Sequence, residues 1–155
     1  LAQDNGFRWD VATDTLNNPK AYVKPSDIKA ASDRFQDLLR IRYSTPLFRL
    51  GSSAEVAARL KFPQSGDDQK AGVVVMQILA QGDDLAPLPS RWKSVLVIFN
   101  ATPKAASGNL PSVADRKYTL HPVQASGADS IVKKATLDAG DYSVPAWTAA
   151  VFVEK

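Results

Sequence analysis

Apolar residues recur at spacings of three and four between Ile28 and Leu39. Ile28, Ala31, Phe35, Leu38 and Leu39 form one stripe, and Lys29, Asp33, Arg34, Asp37 and Arg40 fall mainly on the other faces. This period predicts an amphipathic helix over 26–43. Pro25 and Ser26 supply its start, the Ser hydroxyl being able to accept from a free first-turn N–H. Asp27 stands where the positive end of the helix dipole favours an acid. Ser44-Thr45-Pro46 supplies the stop, because Pro disfavours the helical conformation of its predecessor. A helix of that length is a rod of about 27 Å.

Beyond the helix the pattern changes to short apolar runs. Strands are predicted near 58–63, 72–80, 93–100, 117–123, 130–137 and 147–153. Turn signals separate them: Ser65-Gly66-Asp67, Gly82-Asp83-Asp84, Ser107-Gly108-Asn109, Ser126-Gly127 and Gly140-Asp141. Ser52 and Glu55 form a weak capping box for one helical turn over 53–57. Residues 1–24 read as loop, and the Pro-rich 82–92 as a surface excursion. Closely spaced short strands favour a sandwich over βαβ units. The fold class is therefore mainly β, an antiparallel β-sandwich preceded by one long α-helix. Val73-Val74-Val75-Met76 and Val95-Leu96-Val97-Ile98-Phe99 do not alternate, as strands wet on one face would. Both should be covered on two faces, one by the opposing sheet, the other by the helix or a neighbouring domain.

Composition narrows the function classes. The chain has 155 residues, 45% hydrophobic and 23% charged, with 19 Lys+Arg against 16 Asp+Glu. The net charge of +3 is scattered, with no basic run and no aromatic interleaving, which argues against nucleic acid as a partner. The longest apolar runs, Val73–Met76 and Val95–Phe99, fall far short of the roughly 20 residues that span a bilayer, so no membrane is expected. The absence of cysteine excludes disulfides, thiol catalysis and thiolate zinc sites. The start, Leu-Ala-Gln-Asp-Asn, has no signal core and no initiating Met, and reads as mid-protein or processed.

Candidate chemistry is sparse. His121 is the single histidine and lies in Tyr118-Thr119-Leu120-His121-Pro122-Val123, where a structural strand role is preferred to a triad base. One histidine cannot build a histidine-rich metal site. Paired acids at Asp67-Asp68 and Asp83-Asp84 read as solvated turns rather than calcium ligands, since the EF-hand spacing is absent. None of the acids stands in a glycosidase context, and phosphate-loop and dinucleotide motifs are missing. Ser107-Gly108-Asn109 is a turn, not a nucleophile elbow. Asn100-Ala101-Thr102 fits a glycosylation sequon but caps a very apolar strand. Trp9, Trp92 and Trp147 could stack on sugar rings, though core or interface packing is preferred for each.

The junction Leu38-Leu39-Arg40-Ile41-Arg42-Tyr43-Ser44-Thr45-Pro46-Leu47-Phe48-Arg49-Leu50 resembles the end of the catalytic barrel in α-amylase-type glycoside hydrolases. The closer match is to the pullulanase and limit dextrinase branch, the starch-debranching enzymes. Val97-Ile98-Phe99-Asn100-Ala101-Thr102-Pro103, Leu120-His121-Pro122-Val123-Gln124 and Val144-Pro145-Ala146-Trp147-Thr148-Ala149-Ala150 appear in that branch's order. The resemblance implies a remnant of a (β/α)8 barrel over 1–46, including the helix at 26–43, and a C-terminal β-sandwich domain over 47–155. It implies a parent that hydrolyses α-1,6-glucosidic bonds with retention. No residue here matches its catalytic carboxylates, so none is assigned catalysis. Gln3-Asp4-Asn5-Gly6-Phe7 looks like the loop after the last barrel strand, which would place Asp4 and Asn5 near substrate. The chain then continues with Arg8-Trp9-Asp10-Val11 rather than the family's Gly- and Pro-rich stretch. No cofactor is implied for this chain, and calcium is a candidate for the parent. The implied partners are the chain's own barrel and, for the parent, an α-glucan. Members occur in plastids and in bacterial envelopes or secretions, so the compartment stays open. The alternative is a stand-alone carbohydrate-binding or structural β-sandwich module.

Overall fold

A computed structural model describes residues 3–4, 6–82 and 84–155. The chain divides into two compact units, Leu1–Asp33 and Arg34–Lys155. In the first, helix α1 (Trp9–Leu16) follows a 3-10 turn at Gly6–Arg8, and a second turn at Pro19–Ala21 follows it. The expected loop over 1–24 is thus largely helical. Its signal is weak because Val11, Thr13 and Thr15 are poor helix formers, and Arg8 gives the N-terminus no side-chain cap. Helix α2 (Pro25–Tyr43) begins in the first unit and ends in the second. Its start is closed where Lys24 N–H donates to Asp27 Oδ2 at 3.1 Å.

The second unit is an antiparallel sandwich. Helix α3 (Ser53–Arg59) is capped by Ser52, whose hydroxyl accepts from the Glu55 N–H at 3.2 Å. Among the described residues eight strands follow: β1 (Leu60–Lys61), β2 (Val73–Leu79), β3 (Ser94–Asn100), β4 (Ala106–Asn109), β5 (Tyr118–Leu120), β6 (Thr136–Asp138), β7 (Asp141–Val144) and β8 (Thr148–Glu154). Helix α4 (Pro122–Ser126) lies between β5 and β6. One sheet has the order β1-β2-β3-β8-β5, the other β4-β7-β6. The strand expected over 58–63 shortens because α3 continues to Arg59. The strands expected over 117–123 and 130–137 shorten too, because Pro122 opens α4 and Val132–Lys134 forms a 3-10 turn. Strands β4 and β7 were not anticipated.

The large sheet is covered on both faces over most of its height. On the inner face Val75, Ile98 and Ala150 lie in one row and Leu96 and Phe152 in the next. They pack against Leu110, Val113, Val132, Tyr142 and Val144 beneath the small sheet. On the outer face Val95 and Val153 meet Leu47 and Trp92, while Val97 and Val151 meet Ile41 of α2. The cover stops one row short. Val74, Phe99 and Ala149 stand opposite one another on the outer face, and Val74 and Phe99 remain 43% and 41% exposed. The non-alternating runs reflect two-sided cover at one end only.

The segment 82–92 is more than an excursion. Arg59 is wholly buried beneath it, bonded to Glu55, to the Ala80 carbonyl and to the Ala86 carbonyl, and Trp92 is 3% exposed. Asn100 is also buried, its amide donating to the carbonyls of Lys104 at 2.8 Å and Pro145 at 2.9 Å, which makes the sequon a structural clamp. Leu96→Ala should destabilise the chain by about 2–5 kcal/mol. Val74→Ala on the open row should cost less than about 0.5 kcal/mol. Urea unfolding of the two variants measures both.

Candidate functional site

Of the two residues expected near substrate, Asp4 lies in an exposed turn of the first unit, and Asn5 falls outside the described residues. Asp67 and Asp68 are exposed on a 3-10 turn, and Asp83 lies outside the described residues. No cluster of three or more metal-ligating side chains occurs among the described residues. No described helix is long and apolar enough to cross a membrane.

One pair has the look of catalytic machinery. Ser44 Oγ stands 3.0 Å from His121 Nε2. The hydrogen bonds oppose a nucleophile–base reading. His121 Nδ1 accepts from the Val123 N–H at 3.2 Å, so the neutral ring carries its proton on Nε2 and donates to Ser44. The Ser44 hydroxyl in turn donates to the Ile41 carbonyl at 2.7 Å. A base that already holds its proton toward serine cannot take another from it. The imidazole is fully buried, edge-on to Trp92 with ring centroids 6.0 Å apart. Burial, assisted by the positive charge of Arg91, lowers its pKa to about 4.

Ser44 and His121 therefore work as a clasp joining the end of α2 to the β5–α4 corner. A second clasp lies about two turns earlier. The Asp37 carboxylate accepts from Ala128 N–H at 2.9 Å and from Arg40 at 2.8 Å. A Cβ on Gly127 would come within 2.4 Å of Asp37 Oδ2, so the close approach requires glycine. Gln124 completes the set along the edge of β8: its amide donates to the Ala149 carbonyl and its oxygen accepts from Val151 N–H, each at 2.8 Å. The sequence pattern placed Asp37 on a polar face. Its role depends on residues some 90 positions away, which no local period reveals.

Beside these clasps a groove of about 280 Å³ opens between α2 and the start of β8. Arg34, Asp37, Gln124, Asp129, Trp147 and Thr148 line much of it. Trp147, expected to pack in a core or interface, is 71% exposed. Among the described residues, then, the site is a helix-led β-sandwich with no reactive constellation.

That class has a family. All of residues 1–155 match the family described as alpha-1,6-glucosidases, pullulanase-type, C-terminal, and the chain belongs to it. It is 41% identical over 157 residues to the chloroplastic pullulanase 1 of Arabidopsis thaliana, covering 97% of this chain and 16% of that one. It is 31% identical over 150 residues to the pullulanase of Klebsiella pneumoniae, covering 96% and 14%. The structure of apo pullulanase from Klebsiella pneumoniae superposes with a TM-score of 0.84 at 29% identity, over 100% of this chain and 17% of that one. The chain thus spans about one-sixth of the length of the curated relatives it matches.

The histidine clasp predicts a pH dependence. The unfolded His121 takes up its proton near pH 6.5 and the folded one near 4. Between these values the unfolded state binds more protons, so stability falls as pH drops from 6.5 towards 4 and is undiminished above 6.5. The full loss is about 3 kcal/mol. Urea titrations at steps across this window measure it, and His121→Gln should remove this component.

Proposed function

We propose that this chain is the non-catalytic, barrel-capping part of an enzyme that hydrolyses α-1,6 branch points in an α-glucan. The observation that carries this reading is the two-sided character of α2. Asp37, Ile41 and Ser44 turn one face to the β-sandwich. At 3.6 residues per turn, the stripe of Ile28, Ala31, Phe35 and Leu39 lies roughly 160° away. Ile28 and Phe35 are 61% and 62% exposed, and Leu38 and Leu39 are 47% and 38% exposed. A helix docked through one face and apolar on the other belongs between two layers. In this chain the sandwich supplies one layer. The final helix of a barrel would find the other in the barrel's strands. The pullulanases that the chain resembles are some six times longer, which leaves ample chain for such a barrel.

The match of the whole chain to the C-terminal region of pullulanase-type alpha-1,6-glucosidases supports the non-catalytic role. The expected result is that the isolated chain releases no reducing ends from pullulan, measured by reducing-sugar assay; hydrolysis would overturn that role. In the parent, Phe35→Asp with Leu39→Asp should lower the thermal midpoint by several degrees. The same pair should change the stability of the isolated chain by only about 1 kcal/mol, the helix-propensity cost of two Asp residues, because Phe35 is largely and Leu39 partly in water there. Differential scanning calorimetry of the two proteins makes the comparison. Equal effects in both would remove the case for a barrel on that face.

A further inference from the structure

The groove flanked by Trp147 is lined on one side by Arg34, Asp37, Leu38 and Ile41 of α2. Trp147 sits in the turn between β7 and β8 with φ +52, in the left-handed region that a bulky residue rarely enters. Its backbone N–H donates to the Thr102 carbonyl at 3.1 Å, which holds the turn in place. Glycine or asparagine would adopt this conformation with less strain. Instead the position carries the largest side chain, 71% exposed, with its indole in water. Backbone strain spent on presenting an aromatic face to solvent points to a ligand.

The groove is otherwise largely apolar, lined by Leu38, Ile41, Val132 and Ala149, and its charged groups gather at one place. Across it, Arg34 Nε lies 3.7 Å from Asp129 Oδ2, with the two side chains 54% and 30% exposed. Asp129 Oδ1 is occupied by the Ile131 N–H at 2.9 Å, which fixes the carboxylate's orientation. The pair therefore presents a guanidinium donor and a carboxylate acceptor side by side at the groove wall. Arg34 lies on α2, and Asp37 and Gln124 below it are held by the clasps, so the wall is preorganised. An indole face beside a donor–acceptor fork suits a hexopyranose. The ring's C–H face packs on the electron-rich indole, and adjacent hydroxyls donate to Asp129 and accept from Arg34.

We propose that this groove binds a glucosyl unit of an α-glucan strand. The choice of α-glucan rests on the parent activity proposed above; the site itself rests on the groove.

Calorimetric titration of the chain with maltohexaose tests this. The expected result is saturable binding with Kd about 1 mM. Trp147→Asn should weaken it at least about tenfold while leaving the urea midpoint equal or higher, because asparagine relieves the strained turn. Arg34→Met combined with Asp129→Asn should weaken it by a similar factor. No saturable binding by the unmodified chain, or unchanged affinity in folded Trp147→Asn, overturns the proposal. Neither outcome bears on whether the parent cleaves pullulan, so this proposal and the capping role can fail separately.

Discussion

The burial of β3 from both sides constrains everything around it. Val95, Leu96, Val97 and Ile98 are each 3% exposed or less, on alternate faces of one strand. The small sheet covers the inner face. The outer face needs a cover of its own, and Ile41 and Leu47 provide it from the end of α2 and the turn after it. Each fully buried aliphatic side chain contributes about 1.5–3 kcal/mol, whereas a neutral hydrogen bond adds about 1 kcal/mol net. A bond to a charged group adds about 1.5–3 kcal/mol, so the burial of Ile41 and the bond from Ala128 to the Asp37 carboxylate hold the helix on the sheet together. The bonds of Asp37 to Ala128 and of Ser44 to His121 fix its rotation.

That rotation has a consequence for the other side of the helix. With Asp37, Ile41 and Ser44 turned inward, Ile28, Phe35 and Leu39 are turned outward into water. The same geometry leaves the row of Val74, Phe99 and Ala149 uncovered, because α2 does not reach it. An exposed apolar stripe along a well-formed helix is costly for a free-standing module and natural for a segment that continues a larger fold. The family membership and the short span of the chain relative to its relatives fit the second case.

Much of this was legible in the sequence, for identifiable reasons. Helix α2 carries a 3.6 period, a Pro-Ser start and a Thr-Pro stop, and it runs from Pro25 to Tyr43. Strands β2, β3 and β8 are apolar runs long enough to stand out. Strand β4 was hidden because Ala-Ser-Gly-Asn has turn chemistry. Its Gly108 is there for packing, since a Cβ would fall 2.8 Å from the Tyr142 ring. Pro122 ended a strand as expected, yet it also opened α4, with His121 as N-cap. The stripe Ile28–Leu39 was visible as a pattern, but which face of α2 meets the sandwich was not. That choice is made by Asp37 and Ser44 through partners far away in sequence. The groove was less legible still. Trp147 read as a core or interface aromatic, and its strained turn and Arg34 come to line one groove only in the fold.

The two-faced helix can be tested by chemical labelling, helped by a chain with no cysteine of its own. Single Leu39→Cys and Ile41→Cys variants would be labelled with a thiol reagent, both in the isolated chain and in the parent enzyme cleared of other exposed thiols. The account predicts fast labelling at position 39 in the isolated chain and strong protection in the parent, with position 41 protected in both. Equally fast labelling at position 39 in the two proteins would contradict it.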